Sequence, residues 1–209
     1  AGEYRFTIRA SNIAGYFDFS PSIISVGLKP ESRQDYPNFS ALRSDFVNLD
    51  FSTEATPTPH YEISEGSIPA GLVFDTTTGR LSGNPNVLGS FGFKVKAISW
   101  AGSSESELIH FDVESAPTLI SSTLGSRVEL GADVNFGFNV EAYPAPEFAI
   151  SDGSLPPGLE LDSDTGTFHG SAKVRGKYTF SILVSNGLGA LDLGQFTLEI
   201  TDSPKWTNV

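Results

Sequence analysis

The chain repeats itself at an offset of 87 residues, and a chain made of copies must fold as a series of copies. Ile63-Ser64-Glu65-Gly66-Ser67-Ile68-Pro69-Ala70-Gly71-Leu72 returns as Ile150-Ser151-Asp152-Gly153-Ser154-Leu155-Pro156-Pro157-Gly158-Leu159. The same spacing relates Asp75 to Asp162, Thr78-Gly79 to Thr165-Gly166, and Gly83 to Gly170. The alternating run Phe91, Phe93, Val95, Ala97 falls on Tyr178, Phe180, Ile182, Val184. One period earlier it falls on Tyr4, Phe6, Ile8, Ala10. Positions of many chemical types agree on this single offset, which chance does not produce.

The phase of the repeat sets the domain organisation. Residues 1–28 are the end of one copy, 29–115 and 116–202 are complete copies, and 203–209 opens another. Pro30, Pro117 and Pro204 mark equivalent points. The first segment carries Tyr4, Phe6 and Ile8, then Phe17, Phe19, Ile24 and Val26, an apolar set that needs a partner sheet because an isolated hairpin is marginal in water. The rest of that copy is therefore expected in a longer chain, or another chain is expected to cover the face.

Each copy is expected to be all-β. In the third copy, 127–130, 134–140, 147–150, 159–161, 167–168, 177–184 and 195–200 show strand character, apolar side chains alternating with polar ones in the longer runs. Turn signals every ~8–12 residues match an immunoglobulin-like sandwich. No stretch holds a 3.6-residue period long enough for a helix. Linkers such as Glu114-Ser115-Ala116-Pro117 are short, so neighbouring copies are expected to be held in restricted orientations.

Composition removes several classes of function. The net charge is −12 with scattered basic residues, which excludes phosphate-backbone recognition and hence nucleic acid. No cysteine is present, so the copies rest on their cores alone, without disulfide staples. No apolar stretch approaches the ~18 residues that span a membrane, and no membrane insertion is expected from this segment. His60, His110 and His169 fall at three different phases of the repeat, so no histidine site recurs. None stands in a triad, zinc-ligand or nucleophile-elbow context, and no catalytic residue is assigned.

The repeated residues carry a family resemblance. Gly-Ser-Leu-Pro-Pro-Gly-Leu-Glu-Leu-Asp-Ser-Asp-Thr-Gly-Thr-Phe-His-Gly (153–170), followed by Gly-Lys-Tyr-Thr-Phe-Ser-Ile-Leu-Val-Ser-Asn (176–186), resembles the Putative Ig domain family of bacterial and phage surface proteins. It is also similar to dystroglycan-type cadherin-like repeats. The resemblance implies tandem immunoglobulin-like or cadherin-like β-sandwich repeats. It also implies the roles such modules fill: spacers and adhesive units in adhesins, polysaccharide-active enzymes and viral structural proteins. From the residues themselves, Pro-x-Gly-Leu should turn the chain and return a buried Leu. Asp-x-x-Thr-Gly should form a tight turn, its Asp accepting backbone N–H groups and its Gly at positive φ. Gly83 and Gly170 should mark a bend or close backbone approach.

Two sharper sites compete with these structural roles. Asp162 and Asp164, with Asp152 in a nearby turn, offer hard oxygen ligands for calcium, the one cofactor the pattern suggests. The preferred role for these carboxylates is turn capping, since the equivalent turn Asp75-Thr76-Thr77-Thr78-Gly79 lacks the second Asp. Trp100, at the tip of a turn where the other copies have Ile13 and Gly187, is a candidate contact with a glycan or protein partner, set against a local packing role. Asn38-Phe39-Ser40 is a glycosylation sequon, and Asp35-Tyr36-Pro37-Asn38-Phe39 has no clear match in the third copy. The expected function is mechanical: spacing or display in an extracellular adhesin or a virion-associated fibre or decoration protein. Its expected partners are a protein or glycan on another surface, or neighbouring copies. The alternatives are a binding module acting through loops around Trp100 and residues 31–60, and accessory domains of a larger extracellular enzyme.

Overall fold

A computed structural model describes residues 1–33 and 36–202, and every regular element in them is a β-strand. Asp35 and the expected opening of a further copy at 203–209, with Trp206, lie outside the described residues. The chain divides into two compact units, Ala1–Val113 and Glu114–Val209.

The first unit opens with β1 (Gly2–Phe6), β2 (Arg9–Asn12), β3 (Gly15–Asp18) and β4 (Ser22–Val26). These form two antiparallel ribbons, β1 with β4 and β2 with β3. There follow β5 (Phe39–Leu42), β6 (Val47–Asp50), β7 (His60–Gly66), β8 (Leu72–Asp75), β9 (Arg80–Gly83), β10 (Gly89–Ser99), β11 (Gly102–Glu105) and β12 (Ile109–Ser122). One sheet runs β6-β9-β8. In the other, β10 lies between β7 on one side and β11 and β12 on the other, with β5 on β12. Two such sheets make an immunoglobulin-type sandwich.

The second unit repeats this plan with β13 (Arg127–Glu129), β14 (Asp133–Tyr143), β15 (Glu147–Gly153), β16 (Leu159–Leu161), β17 (Thr167–Ser171), β18 (Gly176–Asn186) and β19 (Gly189–Thr201). Its sheets run β14-β17-β16 and β13-β19-β18-β15. The seven strands expected in this copy are all present. The structure adds the end of β12, residues 115–122, which pairs with β14 across two register shifts. Those bulges break the alternation that marks the other strands, so this one gave no periodic signal.

Alternation explains which side chains enter the cores. Along β10, Phe93, Val95 and Ala97 are buried while Lys94 and Lys96 lie between them on the outer side. Burying a Phe such as Phe93 contributes roughly 2–3 kcal/mol. Each unit has its own core, one around Phe51, Leu81, Phe93 and Phe111 and the other around Phe138, Phe168, Phe180 and Leu198. The two cores are filled differently. Phe51 and Phe138, Tyr61 and Phe148, and Phe93 and Phe180 are equivalent places, but Phe168 replaces Leu81 and Phe196 replaces Ile109. In compensation, Tyr36 and Phe39 set their rings edge-on to Phe51, with centroids 5.2 and 6.2 Å away. The 31–60 segment looked unlike its counterpart because it delivers two aromatics to its own core, where the third copy has Thr123 and Ser126.

The repeated turns are alike in backbone. Gly71 and Gly158 have φ of 94° and 96°, and Gly79 and Gly166 have φ of 72° and 67°. Leu72 and Leu159, the residues that the Pro-x-Gly-Leu turn returns, are both buried. Gly83 approaches the carbonyl of Gly71, and Gly170 that of Gly158, so closely that a Cβ has no room.

Candidate functional site

The acidic turn joining β16 to β17 begins at Asp162. Its Oδ1 accepts the backbone N–H of Asp164 and of Thr165, both at 2.9 Å. The amides of Thr165 and Asp164 hold this carboxyl below the usual carboxylate range. Asp75 does the same work in the preceding copy, accepting from Thr77 at 2.8 Å and Thr78 at 3.2 Å. Its acidity is raised by the Thr78 hydroxyl first, then by the two amides. Gly166 and Gly79 close the turns by donating to the carbonyls of Asp162 and Asp75.

The structure does not gather the three carboxylates of the candidate calcium set. Asp152 sits on β15 opposite Ser181 of β18, in one sheet, while Asp162 and Asp164 belong to the β16–β17 turn of the other. Asp164 takes only a 3.4 Å hydrogen bond from its neighbour Ser163. Among the described residues, no three or more His, Asp or Glu side chains are grouped so as to hold a metal ion.

The histidines occupy three separate strands, β7, β12 and β17, each exposed. His169 faces Glu160 across the β16–β17 pair, 3.6 Å from its carboxylate. They are solvated strand residues.

Trp100 stands at the tip of the β10–β11 hairpin, where Ser99 Oγ accepts the Ala101 N–H at 3.2 Å. Its side chain is 64% exposed, yet one edge of the indole rests over Gly27. A Cβ on Gly27 would lie 2.8 Å from Trp100 Cη2, 2.6 Å from Ala101 Cβ and 2.8 Å from the Thr56 carbonyl. Beside this contact, Leu28 and Thr56 exchange backbone hydrogen bonds of 2.9 and 3.0 Å. The indole also borders a hollow of about 180 Å³ shared with Val26, Thr56 and Pro57. That is smaller than the ~300–1,000 Å³ of typical ligand pockets.

Sequence reasoning singled out Trp100 and missed its seat. The signal was present as a paired departure from the repeat: where one copy boundary has Trp100 and Gly27, the next has Gly187 and Glu114. At that second boundary Asn186, the equivalent of Ser99, donates its Nδ2 hydrogens to the carbonyls of Ser115 and Pro144, both at 3.0 Å. Asn38 of the sequon is exposed just before β5.

The profile described as Putative Ig domain matches residues 37–114 and 111–201. No curated protein matches the chain. Among solved structures, the I67–I69 I-band fragment of titin is similar with a TM-score of 0.58 at 16% identity, over 97% of this chain and 75% of that one. Immunoglobulin domains 1–4 of Sidekick-1 give 0.50 at 14% identity, over 94% of this chain and 57% of that one. A putative alpha-galactosidase from Bacteroides fragilis gives 0.35 at 26% identity, over 42% of this chain and 18% of that one. The first two likenesses show the fold, tandem immunoglobulin-like domains.

Proposed function

The chain belongs to the Putative Ig domain family, and from that premise we propose that it serves as a structural spacer or display segment of an extracellular repeat protein, at a cell surface or on a virion, without chemistry of its own. One observation carries this reading. β12 serves both units with no loop between its two roles: up to Val113 it pairs with β10, and from Ser115 it pairs with β14. A connection of one residue, Glu114, between two self-contained cores leaves no slack for load to take up before the folds themselves resist. Stability is then roughly additive along the chain.

Stretching the chain by its ends tests this. Two separate unfolding events are expected, each releasing about 25–30 nm of chain, as 87 residues at ~3.6 Å per residue require. Extension without resistance, or one merged event, would overturn it.

A second reading rests on the exposure of Trp100 at a hairpin tip. If this surface binds a glycan, array binding by the chain should vanish in Trp100→Ala. The spacer reading expects no glycan signal in either protein.

A further inference from the structure

Of the nine asparagines in the chain, Asn186 alone precedes a glycine. The other eight are followed by Ile, Phe, Leu, Pro or Val, which obstruct attack of the next backbone nitrogen on the side-chain amide by bulk or, for Pro, by the lack of an N–H. Gly187 is exposed, and a Cβ there would meet nothing within 4 Å. Its N–H makes no hydrogen bond among the described residues. The nucleophile for that attack is therefore unhindered and open to solvent base.

The β18–β19 hairpin tip holds the Asn186 amide in two opposing ways. Its Oδ1 accepts the Leu188 N–H at 3.0 Å, the arrangement of an Asx turn. That places a donor on the oxygen that becomes negative as a nitrogen adds to Cγ. Nδ2, the leaving group, donates to the carbonyls of Ser115 and Pro144, both at 3.0 Å, and this clamp keeps Cγ from turning toward the Gly187 nitrogen. Asn12 is an internal control: its Oδ1 accepts the Ala14 N–H at 2.8 Å in the same way, but its successor is Ile13.

We propose that Asn186 is a site of self-modification by deamidation, gated by the clamp on Ser115 and Pro144. When the clamp opens, the Gly187 nitrogen bonds to Asn186 Cγ and the Cγ–Nδ2 bond breaks. The proton of that nitrogen passes through water to Nδ2, which leaves as ammonia. A water molecule then opens the five-membered imide at either carbonyl, giving aspartate or isoaspartate at 186. Both products put carboxylate oxygens where Nδ2 donated, so two carbonyls lose their donor and face a negative charge. Isoaspartate also adds a backbone methylene at the point where Asn186 pairs with Gly189. The modification thereby prevents the start of the third copy from being clasped again. The inference does not rest on the spacer reading.

The test holds the 209-residue chain in mildly alkaline buffer, either folded or in urea, and reads the amide-to-acid mass change at each asparagine by peptide mass spectrometry. Deamidation is expected at Asn186 ahead of Asn12 and every other asparagine, and about tenfold more slowly in the folded chain than in urea. Gly187→Val should suppress it about tenfold while keeping the clamp, since this position has open space and lies outside the left-handed region. Asn186→Asp should speed amide exchange several-fold in the part of β12 that pairs with β14, with exchange at Asp164 and Thr165 unchanged. Equal rates in the folded and urea-treated chain would overturn the proposal, as would an Asn186 amide that outlasts that of Asn12. Unchanged exchange in Asn186→Asp would also overturn it. If Asn186→Asp does not fold, the rate comparison and Gly187→Val decide the matter alone.

Discussion

Gly166 lies directly against the ring of Phe148: a Cβ on that glycine would stand 2.5 Å from Cε1 and 2.6 Å from Cζ. The same pairing recurs one period earlier between Gly79 and Tyr61, but there the nearest ring atoms would be 3.2 Å away. Both glycines also sit at positive φ, which costs a residue with a Cβ about 1–2 kcal/mol. Gly166→Ala is therefore expected to destabilise its unit by about 2–4 kcal/mol, and Gly79→Ala by about 1–2 kcal/mol. Denaturant unfolding of the two variants checks the order, and equal losses would contradict the ring contact as the cause.

Ser44 is the one non-glycine described residue at positive φ, at 72°, and its equivalent is Gly131 at 79°. Its backbone is held by the Pro85 carbonyl, 2.8 Å from the Ser44 N–H, and by Asn84 Nδ2 on the Ser44 carbonyl. A glycine keeps both bonds. Ser44→Gly should stabilise the first unit by about 0.5–1 kcal/mol, after the larger chain entropy of glycine is set against the relieved strain. A loss of stability on urea unfolding would refute this.

The capping carboxylates predict an acid limb. Asp162 and Asp75 have acidities raised by native hydrogen bonds, so their folded values lie below the unfolded one of about 3.9. The stabilisation is complete above that unfolded value and is lost as pH falls through the folded value. Asp162→Ala should lower the melting temperature by a few degrees at pH 7, and the gap from wild type should start to narrow below about pH 4 and close only once the pH has passed below the folded value. Asp164→Ala, which removes no cap, should leave the melting temperature unchanged, and so should calcium or a chelator. A calcium-dependent rise abolished by Asp164→Ala would instead favour a bound cation.

At the first copy boundary the edge of the Trp100 indole rests over Gly27, the residue next to the backbone pair of Leu28 and Thr56. Trp100→Ala should accelerate hydrogen exchange at both amides, and Gly27→Val should do so more strongly by wedging the ring away. The amides of β7 and β10 report on the core and should not change. Unaltered exchange at Leu28 and Thr56 would leave Trp100 without a packing role.

Much of this architecture was legible because turns and alternation are local. Gly-Ser-Ile-Pro-Ala-Gly-Leu specifies its own backbone, and the alternation of Phe93 and Val95 with Lys94 and Lys96 specifies which face goes inward. The contacts of Tyr36 and Phe39 with Phe51 were not legible, because the third copy has Thr123 and Ser126 where these two rings stand and so gives no repeated aromatic signal. Trp100 was found as a singular residue, but its contact with Gly27 spans most of a copy and concerns a residue notable only for having no side chain. The acidic residues around Asp162 suggested a cation from spacing alone. Which oxygens remain free after the turn has used Asp162 Oδ1 is a three-dimensional fact.

The two copies have exchanged bulk between Leu81 and Phe168 and between Ile109 and Phe196 while holding the same dihedral angles at Gly71 and Gly158 and at Gly79 and Gly166. Tolerance to change is thus inverted from the usual picture of a fixed centre and a drifting periphery. The interior can be re-cut by trading volume among neighbours, whereas the turns admit no substitute where backbone meets backbone or ring. A combinatorial library that randomises apolar core positions and holds these glycines should yield folded sandwiches more often than one that does the reverse.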